Sequence, residues 1–446
     1  MRRPYPDRAY DPAPPPSYWA ATAPEAPARG WPLAADASVE VAVVGGGFTG
    51  LNAALALAER GVEAAIFDTA YPGWGASGRN GGFVCIGGAK LPYSTQIAKF
   101  GLEETKSFVA HQHASIDHVA ELLERHGVDA DRHSEGEWAL AHSANAYKAD
   151  AEEAEVERRL GLPVTGYAQG ALDERGMAGP AFHGGHHNAA GFALNPLKYA
   201  SGLAAAAERA GAALYRESPV HSIRTDPGGF RLHVGGFEVR ARKLIVAANG
   251  YAADDWVPGL DDRVLPVLSS IMVTRQLTPA ELQGPGWTSD QAAFDTRSLV
   301  HYFRLLPEGR FLFGARGGSS LNLAFQRSLN KRIRADFERM FPHWAHVETE
   351  YMWNGLLALA RDQSLHVGRL GDWEDAWTAC CYHGNGVAMG SWSGKLLAEL
   401  AIGERRQADL PAIMRSPLPR FPLPRLRMAY IKGYYAIWDA KELIRG

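Results

Sequence analysis

The residues best suited to chemistry in this sequence are three closely spaced glycines and one acidic residue. Gly45, Gly47 and Gly50 form a GxGxxG motif, and Asp68 follows about 20 residues later. The apolar run 39–44 predicts a strand before the motif, and helical apolar spacing follows it. In such a unit the glycines allow a tight turn, approach of a pyrophosphate and close helix packing, while the acid accepts a ribose hydroxyl. The spacing predicts a dinucleotide site; its alternative is a strand-to-helix turn that binds nothing.

A second glycine-rich stretch, from Gly73 to Gly82, favours a flavin over a nicotinamide cofactor. A nicotinamide domain continues into another crossover helix at this point, whereas so many glycines oppose a helix. Ser77, Arg79 and Asn80 supply hydrogen-bond donors among glycines whose backbone can approach a ligand closely. We interpret this segment as a loop against the flat ring of a flavin; the alternative is a mobile surface loop.

These motifs, GGGFTG and GASGRNGGF with the acidic strand end between them, resemble the D-amino-acid oxidase-type flavoenzymes, also called the glycine oxidase or sarcosine oxidase family. Within that family the chain most resembles the γ-glutamylputrescine oxidase-like branch, from about Tyr18 to near Tyr434. The resemblance implies an α/β fold in which a Rossmann-like FAD-binding domain is interleaved with an antiparallel-sheet substrate domain.

The resemblance also implies which residues contact FAD. The chain meets the cofactor again at residues 243–250, where a buried strand ends in small residues, and at Cys381-Tyr-His-Gly-Asn-Gly-Val387. We predict a helix from about Ser393 to Ala401 after that turn, with N–H groups that stabilise the negative charge of reduced flavin. An ordinary core strand and a plain glycine turn are the alternatives. The predicted FAD-contacting residues are Gly45, Gly47, Phe48, Thr49, Gly50, Asp68, Thr69, Gly75, Ala76, Ser77, Arg79, Asn80, Gly81, Gly82, Val220, Ala248, Asn249, Gly250, His383, Gly384, Asn385, Gly386 and Val387.

A predicted β-hairpin, residues 299–306 and 311–316, supplies candidates for substrate contact. Side chains alternate along a strand, so His301 shares one face with Phe303 while Tyr302 shares the other with Arg304. In the family such a sheet covers the flavin, and the sequence leaves open which face does so here. The candidates are His301, Tyr302, Arg304, Arg316, Trp353 and Arg361. Packing and surface pairing are the alternative roles for each of them.

Composition indicates a large enzyme with more than one core: 446 residues, 46% hydrophobic and 21% charged. We predict an extended N-terminal segment at 1–38, an FAD-binding domain at 39–92, 190–250 and 350–405, a substrate domain at 93–189 and 251–349, and a C-terminal tail at 406–446. Helices are expected within 93–127, over 144–160 and from Asn195 to Ala210, and strands over 212–220, 230–234 and 237–240. Alternating strands are expected through 264–349.

Several classes of function are disfavoured. The net charge of −3 gives no basic field for nucleic acid. Three cysteines without metal-ligand spacing suit a reducing compartment, so we expect a cytoplasmic protein. The histidines of His183-Gly-Gly-His-His187 are read as a solvated loop rather than a metal site. No cysteine lies in 355–361, where some relatives tether their flavin, so FAD should be held non-covalently.

The two ends of the chain carry their own expectations. Residues 4–16 are polar and proline-rich, which predicts a disordered lead-in, followed by a surface segment fixed by Tyr18, Trp19 and Trp31. The basic and aromatic tail 417–446 could lie on a membrane surface, but packing on its own domain is preferred.

The function expected from these features is hydride transfer from an amine to FAD, giving an imine that hydrolyses to a carbonyl compound and an amine. The substrate is a γ-glutamylated polyamine or another N-substituted amine, and O2 is reduced to H2O2. Three alternatives stay open: an oxidase or deaminase of D-amino acids, glycine or N-methyl amino acids; a membrane-associated dehydrogenase that passes electrons to quinone; and a nucleotide-binding protein without catalytic activity. The oligomeric state is not predicted.

Overall fold

The computed structural model describes residues 3–284, 286–318, 320–433, 435 and 437. Its first sheet is mainly parallel and is built around Ala37–Val44, with Phe237–Val246 on one side and Ala64–Phe67 on the other. The strand order is His366–Arg369, Ala376–Cys380, Phe237–Val246, Ala37–Val44, Ala64–Phe67 and Ala213–Tyr215. Strands Gly229–Val234 and Val220–Asp226 continue from Phe237–Val246 as an antiparallel extension.

The second sheet is mainly antiparallel and, like the first, has eight strands among the described residues. Its strand order is Thr349–Leu359, Leu265–Thr274, Phe311–Arg316, His301–Leu305, Ala293–Asp295, Glu137–Leu140, Gly184–Asn188 and Val164–Ala168. Phe303, Phe311 and Phe313 lie in the aromatic core on one face of this sheet. Phe83–Cys85 and Gly191–Ala193 form a small antiparallel pair. The chain passes through these two strands as it leaves the first sheet for the second and as it returns. The mixed architecture agrees with the predicted α/β fold.

The helices cover both sheets. The α-helices are Tyr18–Thr22, Phe48–Ala58, Tyr93–Phe100, Leu102–His126, Ala144–Arg159, Gln169–Asp173, Pro196–Arg209, Pro279–Leu282, Leu323–Met340, Gly386–Ala401 and Ala412–Arg415, and short 3₁₀ turns include Asp7–Tyr10, Ala76–Gly78 and Asn249–Tyr251. The predicted start at Asn195 is confirmed, since its side chain accepts hydrogen bonds from the N–H groups of Leu197 and Lys198. None of the helices within the described ranges is long and apolar enough to cross a membrane.

Two strand predictions in the first sheet differ from the structure in their bounds, although strands do form over 230–234 and 237–240 and pair with each other. The strand expected over 212–220 is two strands, because Glu217 has a φ of +50° and Pro219 follows it. The short strand expected over 237–240 and the buried strand expected from Lys243 are instead one, Phe237–Val246. Its first half pairs antiparallel with Gly229–Val234, while its residues from Val239 to Val246 pair parallel with Ala37–Val44.

Three further differences between prediction and structure concern the second sheet and the helix beside it. The segment 264–349 contains an amphipathic helix, Leu323–Met340, that the expected run of strands does not include. The histidines of 183–187 lie mostly in the strand Gly184–Asn188 rather than in a solvated loop. Strand Thr349–Leu359 pairs with Leu265–Thr274, so this sheet takes residues that the sequence groups with the nucleotide domain.

The prediction of a disordered lead-in is wrong. Tyr5 and Tyr10 are buried against Leu268, Leu321 and Leu356. Aromatic side chains can order a short proline-rich segment when a matching apolar surface is available. That surface comes from distant parts of the chain, which explains why local composition did not reveal it.

The tail packs on the protein as far as it is described. Phe421 and Ile431 are buried beside Leu265 and Val267. Arg427 is buried and forms ion pairs with Asp254 and Asp262. Leu423, Leu426, Tyr430 and Ile437 are exposed, while Tyr434 and Trp438, which contribute to the predicted aromatic surface, lie outside the described residues.

Candidate active site

A cleft runs along the carboxyl ends of the parallel strands, and we call it the nucleotide cleft. This is where open α/β sheets bind their ligands. Of the predicted FAD-contacting residues, it is lined by Gly45, Gly47, Phe48, Thr49, Asp68, Thr69, Gly75, Ala76, Ser77, Asn80, Val220, Ala248, Asn249, His383, Gly384, Gly386 and Val387. Segments far apart in sequence therefore meet in one groove, as the motifs predict.

The glycines of the GxGxxG motif stand where larger residues do not fit. A Cβ on Gly50 would lie 1.9 Å from the carbonyl oxygen of Gly45, and one on Gly47 would lie 2.8 Å from Ser77 Oγ. Gly45 has a φ of +106°. These positions leave a bare backbone at the N-terminus of helix Phe48–Ala58, which suits a pyrophosphate. The cleft therefore fits a dinucleotide.

Asp68 lies at the end of the neighbouring strand, as expected. Its carboxylate accepts hydrogen bonds from the N–H groups of Gly46, at 2.6 Å, and Ala70, at 2.8 Å. Burial raises the pKa of this carboxyl, while the two backbone donors oppose the rise. A carboxylate oxygen accepts more than one hydrogen bond, so Asp68 keeps acceptor capacity for a ribose hydroxyl.

The helix expected to begin near Ser393 begins at Gly386 and runs to Ala401. This correction places its N-terminus directly at the turn 381–387, where His383 and Gly384 line the cleft. The helix packs against Phe48–Ala58 through Gly394, where a Cβ would lie 2.2 Å from the carbonyl oxygen of Thr49. Two helix N-termini consequently face the same groove.

The nucleotide cleft continues into a cavity of about 250 Å³, which we call the inner cavity. Both are lined by Ala76, Asn80, Leu357, Tyr382, His383, Gly384 and Val387. The inner cavity is closed on its other side by the second sheet, through residues including Ser269, Tyr302 and Gly355. A ligand lying in the cleft would thus present one end to this cavity.

The inner cavity contains charges of both signs. Its lining includes Arg79, Lys90 and Arg316 as cations and Glu137 as the acid. Surrounding protein atoms, with a smaller contribution from the charge of Arg316, lower the pKa of Lys90 to about 7, although part of its side chain is exposed to water. Burial raises the pKa of Glu137 to about 7. Both groups therefore titrate near neutral pH.

The structure brings Tyr302 and Arg316 into the inner cavity. The hydroxyl groups of Tyr302 and Ser269 share a hydrogen bond of 2.9 Å, and burial raises the pKa of Tyr302 to about 12. The guanidinium of Arg316 donates to the carbonyl oxygen of His383 at 2.9 Å. Burial lowers the pKa of His383 to about 3, so this imidazole is neutral.

Arg304 and Trp353 lie on the same face of the second sheet but outside the cavity, because the N-terminal segment covers them. Trp19 has its ring centre 5.6 Å from Arg304 Cζ and 6.1 Å from the ring of Trp353. Arg304 is fully buried and donates to the carbonyl oxygen of Leu194 at 2.7 Å. Trp353 donates to the carbonyl oxygen of Arg79 at 2.9 Å. Both hold backbone near the predicted flavin loop.

His301 lies on the opposite face of the sheet, away from both cavities. Its Nδ1 is 2.8 Å from a carboxylate oxygen of Asp295, and its Nε2 is 3.3 Å from Asp336. Its ring stacks on Phe313, within the aromatic core. Arg361 is exposed and points toward the tail, where it donates to the carbonyl oxygen of Arg420 at 3.5 Å. Neither residue meets the substrate side of the sheet.

The remaining predicted cofactor residues divide into two groups. Arg79, Gly81 and Asn385 line the inner cavity. Gly50, Gly82 and Gly250 line neither space and instead pack against backbone: a Cβ on Gly82 would lie 2.0 Å from the carbonyl oxygen of Leu194.

Sequence reasoning missed several lining residues. They include Arg3, Trp74, Tyr251 and Trp256 in the nucleotide cleft and Phe83, Lys90, Glu137, Ser269 and Phe294 in the inner cavity. Lys90 follows the predicted flavin loop closely and could have been found from that position. Trp74 and Phe83 belong to the glycine-rich segment itself, whereas Arg3, Trp256, Glu137, Ser269 and Phe294 come from segments without a motif, and only the fold brings these five to the site.

None of the three cysteines lines the nucleotide cleft or the inner cavity. Cys85, Cys380 and Cys381 are buried with free thiols. In the part of the chain that the structure describes, no group of three or more His, Cys, Asp or Glu residues could hold a metal ion. His186 is paired with Asp150 at 2.8 Å.

The fold and the nucleotide cleft define a dinucleotide-binding protein with a second cavity beside the cleft. The sequence model of the DAO family, described as FAD dependent oxidoreductase, matches residues 40–400. The chain therefore belongs to the DAO family of FAD-dependent oxidoreductases, as its motifs predict.

Related proteins match along nearly the whole chain. A probable oxidoreductase OrdL of Rhizobium meliloti is 28% identical over 95% of this chain and 97% of the relative. The γ-glutamylputrescine oxidoreductase of Escherichia coli is 28% identical over 90% of this chain and 92% of the relative. The crystal structure of glycine oxidase from Geobacillus kaustophilus shares the fold with a TM-score of 0.69 and 23% identity, covering 86% of this chain and 99% of that one.

Proposed function

We propose that this protein oxidises a C–N bond of a γ-glutamylated polyamine or another N-substituted amine, with O2 as the acceptor that is reduced to H2O2. When bound, FAD supplies the two-electron acceptor for the C–H bond beside the amine nitrogen, so that the amine becomes an imine, which water hydrolyses to a carbonyl compound and an amine. The similarity to a γ-glutamylputrescine oxidoreductase supports this substrate class.

The inner cavity is the observation that carries the proposal. It opens from the nucleotide cleft beside His383 and Gly384, at the N-terminus of helix Gly386–Ala401. A substrate in this cavity would lie against the end of the cofactor that meets that helix. The helix dipole favours negative charge there, and thus favours the reduced cofactor.

The charges of the cavity support a substrate with an ammonium and a carboxylate at a distance from the reacting amine. Glu137 can accept from an ammonium group, while Arg316 and Lys90 can donate to a carboxylate. A γ-glutamyl group carries both charges. The reacting amine must be neutral before it gives up hydride, and removal from water favours that form.

Two finer points belong to the same proposal. O2 becomes negatively charged as it accepts electrons, so the cation of Lys90 in the cavity favours O2 as acceptor.

The buried cysteines stand outside the cleft, which supports non-covalent FAD. We expect FAD to be released intact into the supernatant when the protein is denatured.

A second candidate is oxidation of an amino acid. The two cations Arg316 and Lys90 favour it, because a carboxylate directly beside the reacting carbon could be held by both. The two candidates differ in what they require of Glu137. An ammonium remote from the reacting amine needs this carboxylate, whereas a simple amino acid does not.

The test follows flavin absorbance without oxygen while γ-glutamylputrescine, free polyamines, N-methyl amino acids, and D- and L-amino acids are added in turn. The proposal expects the fastest bleaching with γ-glutamylputrescine and a lower rate with putrescine. Glu137→Gln should slow the first substrate by about tenfold or more, with little change for simple amino acids.

Three outcomes would overturn parts of the proposal. Bleaching by amino acids alone would establish the second candidate. Bleaching by the amine without recovery of colour in air would point to a dehydrogenase that uses another acceptor. A yellow protein that no amine bleaches would remove the proposed substrate class.

A further inference from the structure

The N-terminal segment lies along the nucleotide cleft instead of extending into solvent. Tyr10 packs edge-on against Tyr251, with ring centres 6.2 Å apart, and Tyr251 lines the cleft. Trp74, which also lines the cleft, donates from Nε1 to the carbonyl oxygen of Asp11 at 3.0 Å. Two cleft residues are therefore in direct contact with residues 10 and 11.

Arg3 extends from this segment into the cleft and is among its lining residues. Its guanidinium carbon lies 4.3 Å from the ring centre of Tyr10, a cation–π contact that fixes its direction. Its Nε is buried and has no hydrogen-bond partner in the structure. A buried guanidinium N–H without an acceptor is costly, and a bound anion would relieve that cost.

The charge balance of the cleft gives Arg3 a specific partner. Among the described lining residues, Arg3 is the sole arginine or lysine, and Asp68 is the sole carboxylate. His383 is neutral because burial lowers its pKa. FAD contains a pyrophosphate with two negative charges, and a helix N-terminus offers only about half a positive charge. A full cation in the cleft would balance more of this charge than the helix N-terminus does alone.

We propose that Arg3 is an FAD ligand that pairs with the pyrophosphate, and that residues 3–11 form a strap across the nucleotide cleft. The strap is held by the burial of Tyr5 and Tyr10, so its position does not depend on Arg3 alone. Arg3 joins the helix N-terminus at residues 47–49 in holding the cofactor. This inference rests on the FAD-dependent family and not on the proposed substrate.

The test compares Arg3→Gln, Arg3→Lys and the control Arg8→Gln, which removes an exposed arginine from the same segment. FAD is removed from each purified protein, and the dissociation constant is measured by titrating FAD back and following quenching of its fluorescence. Charged hydrogen bonds contribute about 1.5–3 kcal/mol, so Arg3→Gln should raise the dissociation constant about 10-fold to 100-fold. Arg8→Gln should leave it unchanged.

Salt separates an ionic contact from a loss of packing. Added NaCl should weaken FAD binding to the wild-type protein more steeply than to Arg3→Gln, because screening acts on the missing ion pair. Arg3→Lys keeps the charge and should retain part of the affinity and most of the salt dependence. These measurements need no substrate, so they stand apart from the outcome of the amine tests.

The proposal is overturned if Arg3→Gln binds FAD with the affinity and salt dependence of Arg8→Gln. It is also overturned if Arg3→Gln and Arg3→Lys lose affinity equally and keep the wild-type salt dependence, since that pattern indicates packing of the strap alone. Melting temperatures of the FAD-free proteins identify any variant that fails to fold. If Arg3→Gln fails to fold, Arg3→Lys is compared with the wild-type protein instead. FAD binding to Arg3→Lys that keeps most of the wild-type salt dependence supports the ion pair, and binding without salt dependence overturns it.

Discussion

Arg316 and His383 lie on separate structural units, yet the guanidinium of Arg316 donates a 2.9 Å hydrogen bond to the carbonyl oxygen of His383. Arg316 ends a strand of the second sheet, and His383 belongs to the turn before helix Gly386–Ala401. This contact joins the wall of the inner cavity to the helix N-terminus that faces the cofactor groove. Arg316 therefore fixes the turn as well as supplying a cation to the cavity.

Gly384 should not tolerate a side chain. It has a φ of +106°, and a Cβ there would lie 2.4 Å from Arg316 Nη2. We expect Gly384→Ala to reduce amine turnover and FAD affinity by displacing Arg316, in addition to about 1–3 kcal/mol of backbone strain. The control is Gly403→Ala, because Gly403 also has a positive φ, +79°, but a Cβ there would have no other atom within 4 Å. Equal effects on FAD affinity in the two variants would contradict the prediction.

Helix Gly386–Ala401 offers a matched pair of glycines for testing the packing behind the cleft. A Cβ on Gly394 would lie 2.2 Å from the carbonyl oxygen of Thr49, whereas one on Gly390 would lie 3.4 Å from Thr49 Oγ1. We expect Gly394→Ala to lower the free energy of unfolding by about 1–3 kcal/mol through overpacking and to weaken FAD binding. Gly390→Ala should change both much less. Denaturant unfolding and FAD titration measure the two effects, and similar losses in both variants would refute this account.

The pH dependence of kcat/KM should report Glu137. Its pKa is about 7 because of burial, so the carboxylate that would hold a remote ammonium is lost as pH falls through 7. We expect kcat/KM for γ-glutamylputrescine to fall on the acid side of that value. In Glu137→Gln the component of the acid limb near pH 7 should disappear, the limb set by deprotonation of the substrate amine should remain, and the rate should be low throughout. A wild-type acid limb that survives unchanged in this variant would assign it to another group.

His301 should contribute to stability in a defined pH range. Burial lowers the pKa of His301, but the charge of Asp295 and hydrogen bonds to Asp295 and Asp336 outweigh it and raise the pKa to about 9. Since the folded value exceeds the unfolded value of about 6.5, this stabilisation is complete below about pH 6.5 and is lost as pH rises through 9. The pKa values of Asp295 and Asp336 are both lowered, so the stabilisation that these two carboxylates contribute is lost as they are protonated in acid.

The corresponding variant is His301→Gln. Removing one partner of a buried ion pair costs about 3–5 kcal/mol, so we expect the largest loss of unfolding free energy between about pH 4 and 6.5, and a smaller loss above pH 9. Denaturant unfolding across this range makes the measurement. The control is His221→Gln at an exposed histidine. A loss that does not vary with pH would mean that His301 acts by packing alone.

Local patterns determined the nucleotide half of the site. The GxGxxG spacing, the strand before it and Asp68 after it depend on backbone conformations set within about 30 residues, so they are readable without the fold. Alternation along the hairpin also correctly separated His301 from Tyr302. It could not say which face meets the cofactor, because both faces carry polar and aromatic residues.

Local patterns were thus sufficient to predict the fold class, the nucleotide cleft and the glycines that shape this cleft. Which charged residues of the second sheet reach the inner cavity depends instead on how distant segments pack. Arg304 and Arg316 lie on one face of the same hairpin, but Trp19 from the N-terminal segment covers the first and leaves the second at the cavity. Glu137 reaches the same cavity from a segment without a motif. Such choices depend on which distant surfaces pack together, and no short-range periodicity encodes that.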